Sequence, residues 1–89
     1  MSYALEFNER ALQGLRTMDP WLQEETLDEL EELAAHPPSP RRRHLGSAVH
    51  DFVRHQGSSA FYVFVTFTPD PTSAVVRVND IGLHIRSGG

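Results

Sequence analysis

Polar and apolar residues alternate at the start of the chain and then change to helical spacing. Residues 3 to 7 alternate, which predicts a short strand with one buried face. Asn8 offers a helix cap, and the apolar positions from residue 9 to residue 18 follow helical spacing. Gly14 lies within this segment and costs about 1 kcal/mol relative to alanine, so we expect a short helix.

A second helix is predicted by a start signal and an apolar stripe. Asp19 followed by Pro20 is typical of a helix start. The predicted apolar face comprises Leu22, Leu27, Leu30, Leu33 and Ala34. The acidic residues expected to face solvent are Glu24, Glu25, Asp28, Glu31 and Glu32. Prolines at positions 37, 38 and 40 cannot continue the helix, so it must end before them.

The second half of the chain predicts three strands separated by turn-rich segments. The expected strands cover residues 49 to 54, 60 to 68 and 74 to 85, the last with a bulge at Asn79 and Asp80. Residues 60 to 68 are apolar on both faces, which suits a central strand. The predicted fold class is α+β: a strand, a helical hairpin and then a three-stranded antiparallel meander, with the helices on one face of a mostly antiparallel sheet.

Length and composition limit the possible classes of protein. The chain has 89 residues, 39% of them hydrophobic, so we expect one domain over residues 1–89. It contains no cysteine, which excludes disulfide and thiolate chemistry. No apolar run approaches the roughly 18 residues that span a bilayer, and no basic and apolar leader opens the chain. We therefore expect a cytoplasmic protein that does not enter a membrane.

The formal charge of -4 hides an uneven distribution. Residues 1 to 36 hold nine acids and two arginines, whereas residues 37 to 89 hold three acids, six arginines and four of the five histidines. This division predicts an acidic helical hairpin and a separate basic sheet, and only the sheet could face a nucleic acid. All eight basic residues are arginine, which favours bidentate phosphate or carboxylate contacts, unless it reflects compositional bias in the source genome.

Several kinds of chemistry lack the residues they need. The five histidines form no pair at the spacing of zinc motifs, so we expect no metal. The glycines form no phosphate-binding or dinucleotide-binding loop, so we expect no nucleotide cofactor. No serine lies in the elbow motif of a serine hydrolase.

A set of cationic and aromatic residues remains on the predicted sheet and before it. The candidate catalytic residues are His84, Tyr62 and Arg54, and the candidate RNA- or phosphate-binding residues are Arg41, Arg42, Arg43, His55, Arg77 and Arg86. Arginine can hold phosphates while histidine or tyrosine transfers protons, as RNA cleavage by a 2′-hydroxyl requires. The alternative is that they are ordinary solvated loop, turn and half-buried strand residues.

The whole pattern resembles the RelE/ParE toxin superfamily of bacterial toxin-antitoxin systems. The resemblance rests on residues 3–7, the two helices, the prolines before the basic segment that ends at Leu45-Gly46, and residues 52–54, 61–65, 75–78 and 81–82. It implies a small α+β domain and an antitoxin as partner. It also implies either ribosome-dependent cleavage of mRNA or, in the other branch of the superfamily, poisoning of gyrase.

The resemblance leaves two hypotheses open. In the RNA-cleaving branch an arginine lies early in the third strand, whereas the similar position in this sequence is Tyr62. That branch also has an arginine near the end of the fourth strand, and His84 lies near this position. The first hypothesis is therefore a toxin, neutralised by an antitoxin, that could act on RNA or the ribosome. The second is a non-enzymatic interaction domain on the same fold, suggested by Tyr62 in place of arginine and by the net negative charge. In that second case an apolar group such as Trp21 could contact a partner, or it could simply be packed.

Overall fold

The chain forms one strand, two helices and three further strands, which is the order that the sequence predicts. This computed structural model describes residues 2–36 and 47–88. The elements are β1 (Ala4–Phe7), α1 (Glu9–Arg16), α2 (Pro20–Ala35), β2 (Ala48–Gln56), β3 (Ser59–Asp70) and β4 (Val75–Ser87). Within these ranges no helix is both long enough and apolar enough to cross a membrane. The predicted α+β fold class is confirmed.

The four strands form one sheet in the order β1-β4-β3-β2. Strands β2, β3 and β4 make the predicted antiparallel meander, and β1 pairs in parallel with β4, with Leu5 opposite Val76. The predicted bulge is present: Thr66 pairs with Asp80 and Phe67 with Val78, so Asn79 is the extra residue of β4.

Local signals explain where the helices begin. Asn8 caps α1, since its side-chain oxygen accepts a hydrogen bond from the backbone N–H of Ala11 at 2.9 Å. Helix α2 begins at Pro20, as predicted, and Asp19 occupies the cap position, but the Asp19 side chain makes no capping hydrogen bond. Gly14 has a packing role as well: a Cβ at this position would collide with the backbone carbonyl of Ile81, so glycine lets α1 lie directly on β4.

The helices cover one face of the sheet and bury the core there. The core consists of Ala11, Met18, Leu22, Leu30, Val63, Val65, Phe67, Val76, Val78 and Ile81. One prediction for α2 is wrong: Leu27 is 37% exposed, whereas Thr26 is fully buried and its hydroxyl contacts the sulfur of Met18. The buried line of α2 follows every fourth residue from Leu22 through Thr26 to Leu30, and Leu27 lies a quarter turn away from it.

Candidate functional site

The sheet has a face covered by the helices and a second, open face. Side chains alternate along a strand, so Val63, Val65 and Phe67 of β3 point toward the helices. Tyr62 and Phe64 point to the other side, where no described residue outside the sheet covers them as the helices cover the core. The open face is therefore where β2, β3 and β4 present side chains away from the helices.

Four of the predicted residues meet at one end of the open face. Tyr62 of β3 lies directly opposite His84 of β4, with ring centroids 6.2 Å apart. One pair further along, Ala60 lies between His55 of β2 and Arg86 of β4. We call His55, Tyr62, His84 and Arg86 the open-face cluster. Except for His84, its members line a shallow depression of about 380 Å³ together with Ser58, Ala60, Ser87 and Gly88.

The arrangement suits the binding of a phosphodiester. Ala60 has a small side chain, so it leaves a shallow floor between the cationic Arg86 and the imidazole of His55. Arginine can bind phosphate oxygens through two N–H groups, and the histidines and Tyr62 can accept or donate protons. Among residues 2–36 and 47–88, no group of three His, Asp or Glu is placed to hold a metal ion.

Arg54 lies apart from the open-face cluster, on the helix-covered side of β2. Its Nε donates to Glu25 at 2.6 Å and its Nη2 donates to Glu29 at 2.8 Å. Its guanidinium also lies over the ring of Phe52, 4.8 Å from the ring centroid. The hydrogen bonds to Glu25 and Glu29 raise the pKa of Arg54. The structure therefore separates Arg54 from the other two candidate catalytic residues.

The prediction of separate acidic and basic surfaces is wrong. Glu29 of α2 accepts from Arg54 and also lies 2.9 Å from Nε2 of His50 on β2. The hydrogen bond with His50, followed by that with Arg54, lowers the pKa of Glu29 below its ordinary value. Glu25, which we expected to face solvent, is half-buried in the same contact. We call Glu25, Glu29, His50 and Arg54 the α2–β2 ion-pair network. It joins the acidic helix to the basic sheet because helix α2 packs over β2.

The remaining predicted arginines lie elsewhere. Arg77 pairs with Thr68, six residues from Tyr62 along β3, which is about 20 Å at the rise of a strand. It donates to Asp70 at 2.8 Å and lies 3.3 Å from Glu6. The bond from Arg77 lowers the pKa of Asp70. The predictions for Arg41, Arg42 and Arg43 fall outside the described residues.

Two further residues border the open-face cluster and were missed by the sequence analysis. Phe64 is 42% exposed and lies on the same face as Tyr62, and Asp51 lies directly opposite it on β2. We expected residues 60 to 68 to be buried on both faces because both are apolar. The signal that could have identified Phe64 is its spacing of two residues from Tyr62. Trp21, by contrast, is packed, with its ring 5.2 Å from Phe61 in an edge-on contact.

Comparisons with known proteins identify the fold. No protein-family model matches this sequence, and no curated protein matches it significantly. Among solved structures, a mutant of Escherichia coli toxin RelE in the free state has 20% identity and a TM-score of 0.68, covering 92% of this chain and 83% of that one. A chain of the intact E. coli RelBE toxin-antitoxin complex has 23% identity and a TM-score of 0.62, and the match covers 91% of this chain and 95% of that one. The Mycobacterium tuberculosis toxin-antitoxin complex RelBE2 has 18% identity and a TM-score of 0.63, and the match covers 94% of this chain and 93% of that one.

These comparisons support the resemblance found in the sequence, and at such identities what they establish is the fold. The chain has the RelE fold over 92% of its own length, with a strand, two helices and a three-stranded meander in that order.

Proposed function

We propose that this protein is the toxin of a toxin-antitoxin pair and that it acts in the cytoplasm as an endoribonuclease on ribosome-associated mRNA. The observation that supports the proposal is the open-face cluster, which gathers an arginine, two histidines and a tyrosine on the face of a RelE fold that the two helices leave open. Solved proteins with this fold include toxins by name, in the free state and with antitoxins.

The proposed reaction is attack of an RNA 2′-hydroxyl on the adjacent phosphorus. His84 takes the 2′-hydroxyl proton while the bond between O2′ and phosphorus forms. Arg86 and His55 hold the phosphate and stabilise the negative charge that grows on its oxygens. Tyr62, beside His84, donates a proton to the 5′-oxygen as its bond to phosphorus breaks. The products are a 2′,3′-cyclic phosphate and a free 5′-hydroxyl. Arg54 has no part in this scheme because it lies on the other face.

Replacement of His84 tests the scheme. Inducing the protein alone in bacteria should slow growth, and His84→Ala should lower RNA cleavage by about 100-fold, the effect of a lost general acid or base. His36→Ala is a matched control, since His36 lies at the exposed end of α2 away from the open face. Normal growth at good soluble expression would argue strongly against a toxin. An unchanged rate in His84→Ala would remove His84 from the mechanism.

The proposed partner is an antitoxin. It is supported by the E. coli and M. tuberculosis structures, which contain toxin-antitoxin complexes. The cheapest test is the neighbouring reading frame in the source genome. Its product, when co-expressed, should co-purify with this protein and restore growth. A neighbouring product that neither binds nor relieves growth arrest would indicate that this pairing is wrong.

A non-enzymatic interaction domain is the second candidate, favoured by apolar exposure on the open face. Val49 is 64% exposed, Val53 37% and Phe64 42%. Two of the described sheet arginines, Arg54 and Arg77, are also engaged by carboxylates. Phosphate contacts are strongest at low salt. A protein that binds no RNA at low salt but co-purifies with another protein would favour this candidate over the nuclease.

A further inference from the structure

Phe64 is a partly exposed aromatic side chain placed beside the open-face cluster. It belongs to β3, an internal strand, yet its side chain is 42% exposed. Its partner on β4 is Gly82, which has no side chain to cover the ring. Tyr62 lies two residues away on the same face, a step of about 7 Å along the strand. Part of the Phe64 ring is therefore exposed next to the cluster.

The charges on the open face change sign between the cluster and Phe64. Arg86 and His55 flank Ala60 at one end, whereas Asp51 lies directly opposite Phe64. A phosphate is attracted to the arginine and repelled by the carboxylate of Asp51. The group that fits over Phe64 is therefore uncharged, while the charged part of the same ligand lies at the cluster.

We propose that Phe64 stacks an unpaired nucleobase of the RNA whose phosphate is held by the open-face cluster. This inference rests on the proposed function. Aromatic side chains on the surface of a sheet are a general means of binding unstacked bases, and such stacking tolerates any base because every base has a π-face. The step of about 7 Å between Tyr62 and Phe64 lets one strand place a phosphate at the cluster and a neighbouring base on Phe64.

A protein partner fits this part of the open face less well. Stable protein interfaces bury roughly 800 Å² on each side, and their centres are depleted in charged residues. Among the described residues, the large hydrophobic side chains of the open face that exceed one-third exposure are Val49, Val53 and Phe64, and Asp51 lies between the two valines in β2. A single aromatic ring beside a carboxylate suits one base better than the core of a protein interface.

The test measures binding of a short single-stranded RNA at low salt, in the His84→Ala background so that the RNA stays intact. Phe64→Leu removes the aromatic ring but keeps an apolar side chain, and Phe64→Trp keeps the ability to stack. Val49→Ala is the control for loss of an exposed apolar group on the same face. Thermal melting of each variant first verifies that it is folded. One RNA is intact, a second carries abasic sugars, and a third carries 2-aminopurine, whose fluorescence falls when it stacks.

We expect Phe64→Leu to weaken binding of intact RNA by about 5- to 100-fold, the range for loss of one base-aromatic stack. The same change should leave binding of abasic RNA unaltered and should abolish the quenching of 2-aminopurine. Phe64→Trp should preserve both properties, and Val49→Ala should behave like the parent.

Three results would overturn the inference. If the parent binds RNA and Phe64→Leu binds it equally well, stacking is wrong while the proposed function stands. If Phe64→Leu keeps its RNA affinity but no longer captures the antitoxin, Phe64 is a protein contact instead. If the parent binds no RNA even at low salt, the proposed function fails together with the stacking site.

Discussion

Replacing Arg54 with methionine should destabilise the fold, because Arg54 joins helix α2 to the sheet. Its two hydrogen bonds to Glu25 and Glu29 cross from β2 to α2. Methionine is apolar and unbranched, so it can keep much of the packing on Phe52 while it removes the charge and the donors to Glu25, Glu29 and the Val53 carbonyl. The change therefore separates the polar contacts of Arg54 from the packing of its aliphatic stem.

The expected loss is about 2 kcal/mol in the free energy of unfolding. Hydrogen bonds to charged groups contribute about 1.5–3 kcal/mol to the free energy of unfolding when they are protected from solvent, and exposed ion pairs contribute about 0.2–1 kcal/mol. The Arg54, Glu29 and Glu25 side chains are 31%, 27% and 44% exposed, so solvent screens both bonds in part and about 1 kcal/mol for each is appropriate. For a chain of 89 residues the entropy of unfolding is roughly 190 cal/mol/K, so the melting temperature should fall by about 10 °C.

Denaturant unfolding and a double-mutant cycle measure this contribution. Arg54→Met should lower the midpoint of urea unfolding without changing the m-value. Combined with Glu29→Gln, it should show a coupling energy of about 1 kcal/mol. Arg86→Met is the matched control, since Arg86 is an exposed arginine on the open face and its loss should change stability by less than about 0.5 kcal/mol.

The effect of Arg54→Met should depend on pH. The pKa of Glu29 is lower in the folded protein than in the unfolded chain, so its contribution is present above the ordinary glutamate pKa of about 4.3. That contribution is lost as the pH falls through the folded-state pKa, because protonated Glu29 no longer attracts Arg54. The destabilisation should therefore be full at neutral pH and shrink in acid. A coupling energy below about 0.3 kcal/mol, or an equal loss at neutral and acidic pH, would refute the reasoning and assign the effect to packing.

Two further substitutions test how the first helix is placed. Gly14→Ala should destabilise the protein by about 1–3 kcal/mol despite the better helix propensity of alanine, because the alanine Cβ collides with the carbonyl of Ile81. Thermal melting measures the change, and Gln13→Ala, at an exposed position of the same helix, is the control. A Gly14→Ala variant that is more stable than the parent would contradict the close contact. Asn8→Ala should lower the free energy of unfolding by about 1 kcal/mol, because the capping hydrogen bond from the Ala11 N–H is lost. Asn8→Asp should retain most of this stability in the same melts. Equal stability of the alanine and aspartate variants would show that the cap contributes little.

The order of elements could be predicted because its signals are local. Asn8 and the Asp19-Pro20 pair mark helix starts by satisfying or omitting backbone donors, which needs no information from distant residues. The bulge at Asn79 was predicted from an interruption in the apolar pattern of the last strand. Leu27 was misplaced since the phase of the buried stripe on α2 depends on where the sheet lies, which the helix alone does not determine.

The grouping of the candidate residues could be predicted only in part. Tyr62 meets His84 because of the register between β3 and β4, and that register is set by the extra residue Asn79. Arg54 and His55 are neighbours in sequence and were placed in the same set by residue type alone. Alternation puts them on opposite faces, but which face α2 covers is decided by tertiary packing. The prediction of separate acidic and basic surfaces was wrong for the same reason, because tertiary packing brings Glu25 and Glu29 of α2 against Arg54 of β2.

Arg54 matters to the open face even though it lies on the other side of the sheet. A slip of β2 by one residue would exchange its two faces, bringing Arg54 to the open side and turning His55 toward the helices. The α2–β2 ion-pair network opposes such a slip, because only Arg54 in its present phase meets Glu25 and Glu29 together. The same acidic residues that lower the net charge of the chain thus help keep His55 beside Ala60 and Arg86 in the open-face cluster.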